Sequence, residues 1–369
     1  MPRRAVAYTS AARSSSNPAG RLRVWSRWGS EGPYDAAPVR AIQIKDLSGP
    51  ESALELVDLP EPEASHFMSP GSGVLVDVHA AGVSFPEVLQ TRGMYQVKPD
   101  LPFVPGSEVG GVVRSASDGA GFEPGDRVAA FCMLGAFAEI AVSPPMLTFK
   151  LPESFDFEEG ASYVLNYHTA YFSLKIRGRL AEGETVLVHG AAGGVGTASI
   201  QVAKGLGART IAVVSSDEKA QVARDAGADE VVRADGPWKD EAKELSGGGV
   251  DVVLDPVGGD RFTDSLRSMR EGGRAVVVGF TGGSIPEVKV NRLLLNNLEV
   301  IGAGWGAYAM SKPNLHGEID EALRPMIDAG VVRPLIGARF PLERAAEALK
   351  LIDERGATGK VVLDVREPE

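Results

Sequence analysis

The residues Gly190-Ala-Ala-Gly193-Gly-Val-Gly196 directly follow the apolar run Thr185-Val-Leu-Val-His189, and their types and spacing suit a turn that grips a dinucleotide. A buried strand that breaks into glycine and opens a helix leaves backbone N–H groups bare for a pyrophosphate, and the helix end adds positive potential. Gly190, Gly193, Gly194, Val195 and Gly196 are therefore the candidate phosphate-binding residues. The spacing is G-x-x-G-x-x-G rather than the strict G-x-G-x-x-G, and glycine turns join strands to helices in many folds, so the motif has to be weighed with its surroundings. No Ser, His and Asp fall in a hydrolase motif. His66, His79, His168, His189 and His316 are scattered with no pair at ligand spacing, and Cys132 is the sole cysteine, so no metal site is expected.

The elements needed to hold such a turn follow it in the chain. Thr197 to Lys204 reads as an amphipathic helix closing at Gly205-Leu-Gly207, and the apolar run Thr210 to Val214 as a second strand. Ser215-Ser-Asp-Glu218 has the Ser-x-x-Glu spacing of a capping box and predicts a helix from Lys219 to Asp225. Val250 to Leu254 and Arg274 to Gly279 add apolar runs bounded by glycine, as expected of parallel strands buried on both faces. The pattern predicts an α/β, doubly wound nucleotide-binding domain over 166–302.

From Val39 to Val164 the pattern changes to short alternating runs, such as Gly73 to His79, Gly110 to Arg114 and Gly135 to Val142, which predict mostly antiparallel β structure. After Gly302 come helices around Glu318 to Asp328 and Leu342 to Glu354, then a closing strand, Gly359 to Asp364. A tail this short is expected to return and complete the first domain, giving 39–165 with 303–369, and to leave a cleft against the nucleotide domain. The first 40 residues hold seven arginines against Glu31 and Asp35, and residues 1–38 read as a disordered extension, an organelle transit peptide or an over-long gene product beginning near Val39.

The formal net charge of −11 argues against a nucleic-acid partner. No apolar run approaches the roughly 20 residues of a membrane span, and a single cysteine suits a reducing compartment, so a soluble cytoplasmic protein is expected.

Several further motifs together resemble the medium-chain dehydrogenase/reductase superfamily, in its zinc-independent, zeta-crystallin-like quinone oxidoreductase branch. They are Ala80-Ala-Gly-Val-Ser84, Thr91-Arg-Gly-Met-Tyr95, Pro105-Gly-Ser-Glu-Val-Gly-Gly111, Pro124-Gly-Asp-Arg-Val128, Leu165-Asn-Tyr-His-Thr-Ala-Tyr171, Asp255-Pro-Val-Gly-Gly259 and Thr358-Gly-Lys360. The resemblance covers Val39 to the C-terminus and implies a GroES-like β-rich catalytic domain, a Rossmann domain and hydride transfer from a nicotinamide cofactor across the cleft between them. Zinc-dependent relatives carry Gly-His-Glu and cysteine ligands where this chain has Gly106-Ser107-Glu108, so the acceptor is expected to be a quinone or a polarised enone.

The second strand ends in Ser215-Ser216, and Asp217 is either a carboxylate for a ribose diol or a partner of the helix dipole. In the resembling family a serine here with a lysine a few residues on accompanies NADPH, which Ser216 and Lys219 match. Arg233 either adds a phosphate contact or is solvated, and Ala234 stands where relatives carry a tyrosine. The resemblance puts Ser84 and Glu87 near the nicotinamide, in place of Asn-x-x-Asp, with Tyr95 over the substrate. It gives Asn166 and Thr169 to the nicotinamide ribose or carboxamide, Gly279 and Phe280 to the cofactor border, and Lys360 to the closing of the cleft. It also implies a homodimer, for which Leu293 to Leu295 and Leu298 to Ile301 offer apolar surface or else core. A 2-enoyl thioester reductase and a non-catalytic NADPH- or RNA-binding protein remain as alternatives.

Overall fold

In the computed structural model, residues 38–309, 311–312 and 314–366 are described, so the expectations for residues 1–37 lie outside them. The alternating runs fold as β1 (Val39–Ile44), β2 (Leu54–Leu59), β3 (Val74–Val83), β4 (Glu108–Ala116), β5 (Arg127–Phe131), β6 (Ile140–Ser143) and β7 (Thr148–Lys150). The continuous apolar runs fold as β8 (Thr185–His189), β9 (Arg209–Val214), β10 (Glu230–Arg233), β11 (Val250–Asp255), β12 (Met269–Val277) and β13 (Glu299–Gly302). The tail supplies β14 (Ile336–Pro341) and β15 (Lys360–Asp364).

Strands β8 to β13 form one wholly parallel sheet in the order β10-β9-β8-β11-β12-β13. The order of winding reverses between β8 and β11, and in such sheets a ligand crevice opens there, beyond the carboxyl ends of the strands. The central strands are covered on both faces, and Val186, Leu187, Val188, Val252, Val253 and Leu254 are all 0% exposed. This is the Rossmann-like half of the α/β expectation.

The second large sheet runs β14-β15-β3-β4-β5-β7, with β6 also paired to β3. Strand β15 lies antiparallel to β3, matching Val362 with Gly82, so the C-terminal tail brings Lys360 into the sheet that carries Glu108 and whose strand β3 ends just before Ser84. Val74, Leu75, Val76 and Val78 of β3 and Val109 and Val113 of β4, with Val104, Phe137 and Leu349, belong to one buried core. The expected strand from Gly135 to Val142 is shorter than its pattern. Gly135, Ala136 and Phe137 donate their N–H groups to the carbonyls of Val104, Gly106 and Pro105, and regular pairing begins only at Ile140.

Between the sheets the chain crosses through helical turns with π-type stretches at Val164–His168 and Phe172–Arg177. The tail helices also differ from expectation: one starts earlier, at Leu315, and the other opens as a 3₁₀ turn at Leu342–Arg344 before Ala345–Asp353. No helix among the described residues is long and apolar enough to cross a membrane.

Candidate active site

The glycine turn stands at the end of β8, beside the switch point. Gly190 has φ of +58°, and a Cβ on Gly196 would lie 2.2 Å from the Gly190 carbonyl oxygen, so a side chain at either position strains the turn. A Cβ on Gly194 would lie 2.6 Å from Asn166 Nδ2, which sets the Asn166 amide against the turn. Gly193 differs: its φ of −85° and ψ of 175° suit any residue, and the nearest atom to an added Cβ is 3.5 Å away. Gly193 caps the helix Gly194–Gly205 with no side-chain hydrogen bond, leaving the first-turn N–H groups of Gly194, Val195 and Gly196 uncapped by any side chain. The residues present therefore fit a dinucleotide phosphate.

At the end of β9 the helix is capped one residue later than the Ser-x-x-Glu spacing predicts, at Ser216 rather than Ser215. Ser216, extended at φ −151°, is the N-cap, and its Oγ accepts the Lys219 N–H at 3.2 Å. Ser215 is not the cap because its carbonyl accepts Arg233 Nη2 at 3.1 Å. Arg233 also holds the Asp217 carboxylate at 2.5 Å, while its own Nε is buried with no partner. Lys219 Nζ donates to the Arg355 carbonyl at 2.6 Å, and Arg355, at φ +60°, donates Nη2 to the Gly282 carbonyl at 3.2 Å. Ser216, Lys219, Arg233 and Arg355 thus gather at one end of the crevice. Arg355 carried no local sequence signal, since it reaches across from the other sheet's tail.

That tail runs over the turn itself: Gly359 N–H donates to the Ala192 carbonyl at 2.7 Å, and Gly359 bridges Gly193. Beyond β12, Gly279 and Phe280 lie in the loop facing the Asp255-Pro-Val-Gly-Gly259 loop. Thr281 and Gly282 donate to the Pro256 and Val257 carbonyls, and the Phe280 ring edge comes close to Gly258. Asn166, Gly194, Thr197 and Lys360 line one narrow pocket, whereas Thr169 is buried one turn further along.

On the other wall, Ser84 caps the short helix Phe85–Gln90, and its N–H donates to Glu87 Oε2 at 2.9 Å. Glu87 is 0% exposed and shares a short hydrogen bond with Ser107 Oγ. Burial pushes its pKa up to about 7, against partial relief from Ser107 and Lys360. Tyr95 is half-buried, and burial together with the Glu87 charge raises its hydroxyl pKa, keeping it protonated. Lys360 is also buried. Its Nζ donates to Ser84 Oγ at 2.7 Å and ion-pairs with Glu108, whose other oxygen accepts the Leu165 N–H at 2.9 Å. Its ammonium is thus committed to Glu108 and Ser84 rather than free over the cleft.

Glu87 makes a pH prediction with a definite sign. The folded protein holds the Glu87 proton up to about pH 7, whereas an unfolded glutamate loses it near 4.5. Between these values the unfolded state binds fewer protons, so stability falls as pH rises, by about 3 kcal/mol over the window. Glu87→Gln removes this slope. Chemical denaturation at both ends of the window is expected to show wild type losing more stability than the variant, and equal losses would contradict the assignment.

Two family models match the chain: the alcohol dehydrogenase GroES-like domain over residues 70–153 and the zinc-binding dehydrogenase over residues 194–323. The chain is 39% identical over 297 residues to the mouse protein quinone oxidoreductase-like protein 2, covering 79% of this chain and 85% of that one. It is 35% identical over 333 residues to rat quinone oxidoreductase, covering 88% and 97%. Among solved structures, the quinone oxidoreductase of Thermus thermophilus, also described in complex with NADPH, superposes with a TM-score of 0.75 at 37% identity, covering 88% of this chain and all of that one.

The zinc in the second family model's name does not fit the donors present here. Ser107 is bonded to Glu87, Glu108 carries the Lys360 ammonium, and burial followed by the Glu108 charge raises the Cys132 thiol pKa. Among the described residues no three His, Cys, Asp or Glu side chains group to hold a metal.

Proposed function

The chain belongs to the quinone oxidoreductase family of the medium-chain dehydrogenase/reductase superfamily, and from that premise we propose that it is a zinc-independent, NADPH-dependent reductase of quinones or activated alkenes. The observation that carries the reading is a glycine turn, uncapped at Gly193, whose next strand ends against the cations Arg233 and Lys219. NADPH, when bound, supplies the hydride. The turn 190–196 holds the pyrophosphate by its N–H groups. Ser216, Lys219, Arg233 and Arg355 surround the additional phosphate, and the unpartnered Arg233 Nε is a ready donor for it.

Asp217, the carboxylate at the end of β9 that could prefer a ribose diol, is already engaged by Arg233. Asn166 and Thr169 steady the nicotinamide end, and Gly279 and Phe280 border it. Tyr95 and Ser84 orient the acceptor carbonyl, and Tyr95, held protonated, donates a hydrogen bond to it. The hydroxyls and carboxylates at 84, 87, 107 and 108 are tied to one another and to Lys360, which suits acceptors whose own conjugation takes up hydride. In the same reading, 39–165 with 303–369 forms the catalytic domain, 166–302 the cofactor domain, and the protein works in the cytoplasm with small-molecule partners only.

A homodimer completes the proposal. Strand β13 leaves one edge of the parallel sheet open, and Val290, Leu294, Leu295 and Val300 beside it are 39–77% exposed, whereas Leu298 and Ile301 are core. Light scattering after size exclusion is expected to give a dimer for wild type and a monomer for Leu294→Glu with Leu295→Glu; a monomeric wild type would contradict it.

The reaction itself is tested by NADPH oxidation against a benzoquinone, a naphthoquinone, an alkenal and a crotonyl thioester. Turnover fastest with a quinone or the alkenal is expected. Preference for the thioester would replace this reading with a 2-enoyl thioester reductase, and binding of NADPH without any turnover would leave a non-catalytic protein.

A further inference from the structure

We propose that Lys360 is a positioning residue of the reduction, holding Ser84 as the proton donor to the acceptor oxygen. The inference rests on the reading of the chain as a reductase of a conjugated carbonyl acceptor.

Lys360 and Glu108 approach each other from β15 and β4 across the central strand β3, which carries glycine where they meet. A Cβ on Gly82 would lie 2.8 Å from both Lys360 Cε and Glu108 Cγ. The pair is sealed, with Lys360 3% and Glu108 0% exposed, while Ser84 is only half-buried. A desolvated ion pair of this kind adds little to stability over apolar residues of similar volume, so its presence calls for another role.

The direction of the hydrogen bond supplies that role. An ammonium has only donors, so Ser84 Oγ accepts from Lys360 Nζ at 2.7 Å and must turn its own O–H proton elsewhere. Among the described residues that proton meets no acceptor. The buried charge therefore reaches the cleft as one polarised hydroxyl, preorganised toward an oxygen that becomes negative during reduction.

As hydride reaches the acceptor, negative charge collects on the acceptor oxygen. The Ser84 O–H bond breaks and its proton passes to that oxygen. Ser84 Oγ takes a proton from the Lys360 ammonium, and the neutral amine recovers a proton from water after product leaves. The acceptor has then gained one hydride and one proton.

The test compares wild type with Ser84→Ala, Lys360→Arg and the double variant Lys360→Met/Glu108→Gln, which strands no buried carboxylate, and with the triple variant combining the first and last. Readouts are kcat with the best acceptor, NADPH Kd by fluorescence titration, the solvent isotope effect and the melting temperature. Ser84→Ala and the double variant are each expected to lower kcat about a hundredfold, the usual scale for a lost proton donor, with NADPH Kd changed less than about twofold. The triple variant is expected to be no slower than the worse of the two, and the solvent isotope effect of wild type is expected to vanish in Ser84→Ala. Lys360→Arg, which keeps charge and donors, is expected to retain part of kcat and keeps the test open if the double variant fails to fold. Retained kcat with a raised NADPH Kd would make Lys360 a cofactor contact, and additive losses would make it merely structural; either overturns the proposal. A wild-type protein that turns over no acceptor would overturn the reading of the reaction, and this proposal with it.

Discussion

Aspartate in place of Gly193 is expected to leave the protein at least as stable as wild type while weakening NADPH binding by at least about a hundredfold. The two effects separate because Gly193 has a backbone any residue adopts and an added Cβ meets nothing closer than 3.5 Å. Aspartate is among the best N-caps and complements the helix dipole, so the helix Gly194–Gly205 gains a few tenths of a kcal/mol or more. The same carboxylate lies where the account puts a pyrophosphate. Two like charges about 4 Å apart at an effective dielectric near 20 repel by about 4 kcal/mol, which makes a hundredfold loss a lower bound. Gly196→Ala is the contrasting case, since its Cβ falls 2.2 Å from the Gly190 carbonyl and must open the turn, so stability and binding go together. Thermal melts and NADPH titration of both variants check this, and undiminished NADPH binding by Gly193→Asp would remove the pyrophosphate from the turn.

Arg233→Ala is expected to cost NADPH about 2 kcal/mol, roughly 30-fold in kcat/KM, and to improve NADH. The guanidinium does two things at the end of β9. It offers a buried, unpartnered Nε, and it holds Asp217, whose side chain is 96% exposed, at 2.5 Å. Removing it takes a donor from the additional phosphate and frees a carboxylate for a ribose diol, so the two coenzymes respond in opposite directions. The pair is exposed enough that folding loses little. Steady-state kinetics with both coenzymes decides the matter: an unchanged preference would make Arg233 a surface residue held by its acidic neighbours.

What could be read in the chain was local. The run Thr185 to His189 followed by glycine specified a strand, a turn and a helix because each depends on residues within one or two turns of one another, and β8, the turn and the helix Gly194–Gly205 are there. The parallel sheet followed from apolar runs buried on both faces. Local pattern does not specify the backbone where a neighbour distant in sequence decides it: the cap lies at Ser216 rather than Ser215 because Arg233 claims the Ser215 carbonyl, and the strand from Gly135 is cut short by bonds to Val104, Pro105 and Gly106.

The site divides the same way. Ser84 and Glu87 are joined within one capping turn, and spacing alone relates them. Lys360 is 276 residues from Ser84 and 252 from Glu108, and nothing in the neighbourhood of any of the three shows that β15 will lay the lysine across Gly82. Arg355 is hidden for the same reason: its part at the crevice comes from the return of the tail, and its own residues read as a helix end.

The central claim is that the crevice at the switch point binds NADPH and delivers its hydride to a conjugated acceptor. The most direct test is the initial rate of NADPH oxidation by a benzoquinone beside that of NADH under the same conditions. Turnover with kcat/KM favouring NADPH is expected, on the strength of Ser216, Lys219 and Arg233. Turnover favouring NADH, or no oxidation of either coenzyme, would contradict it.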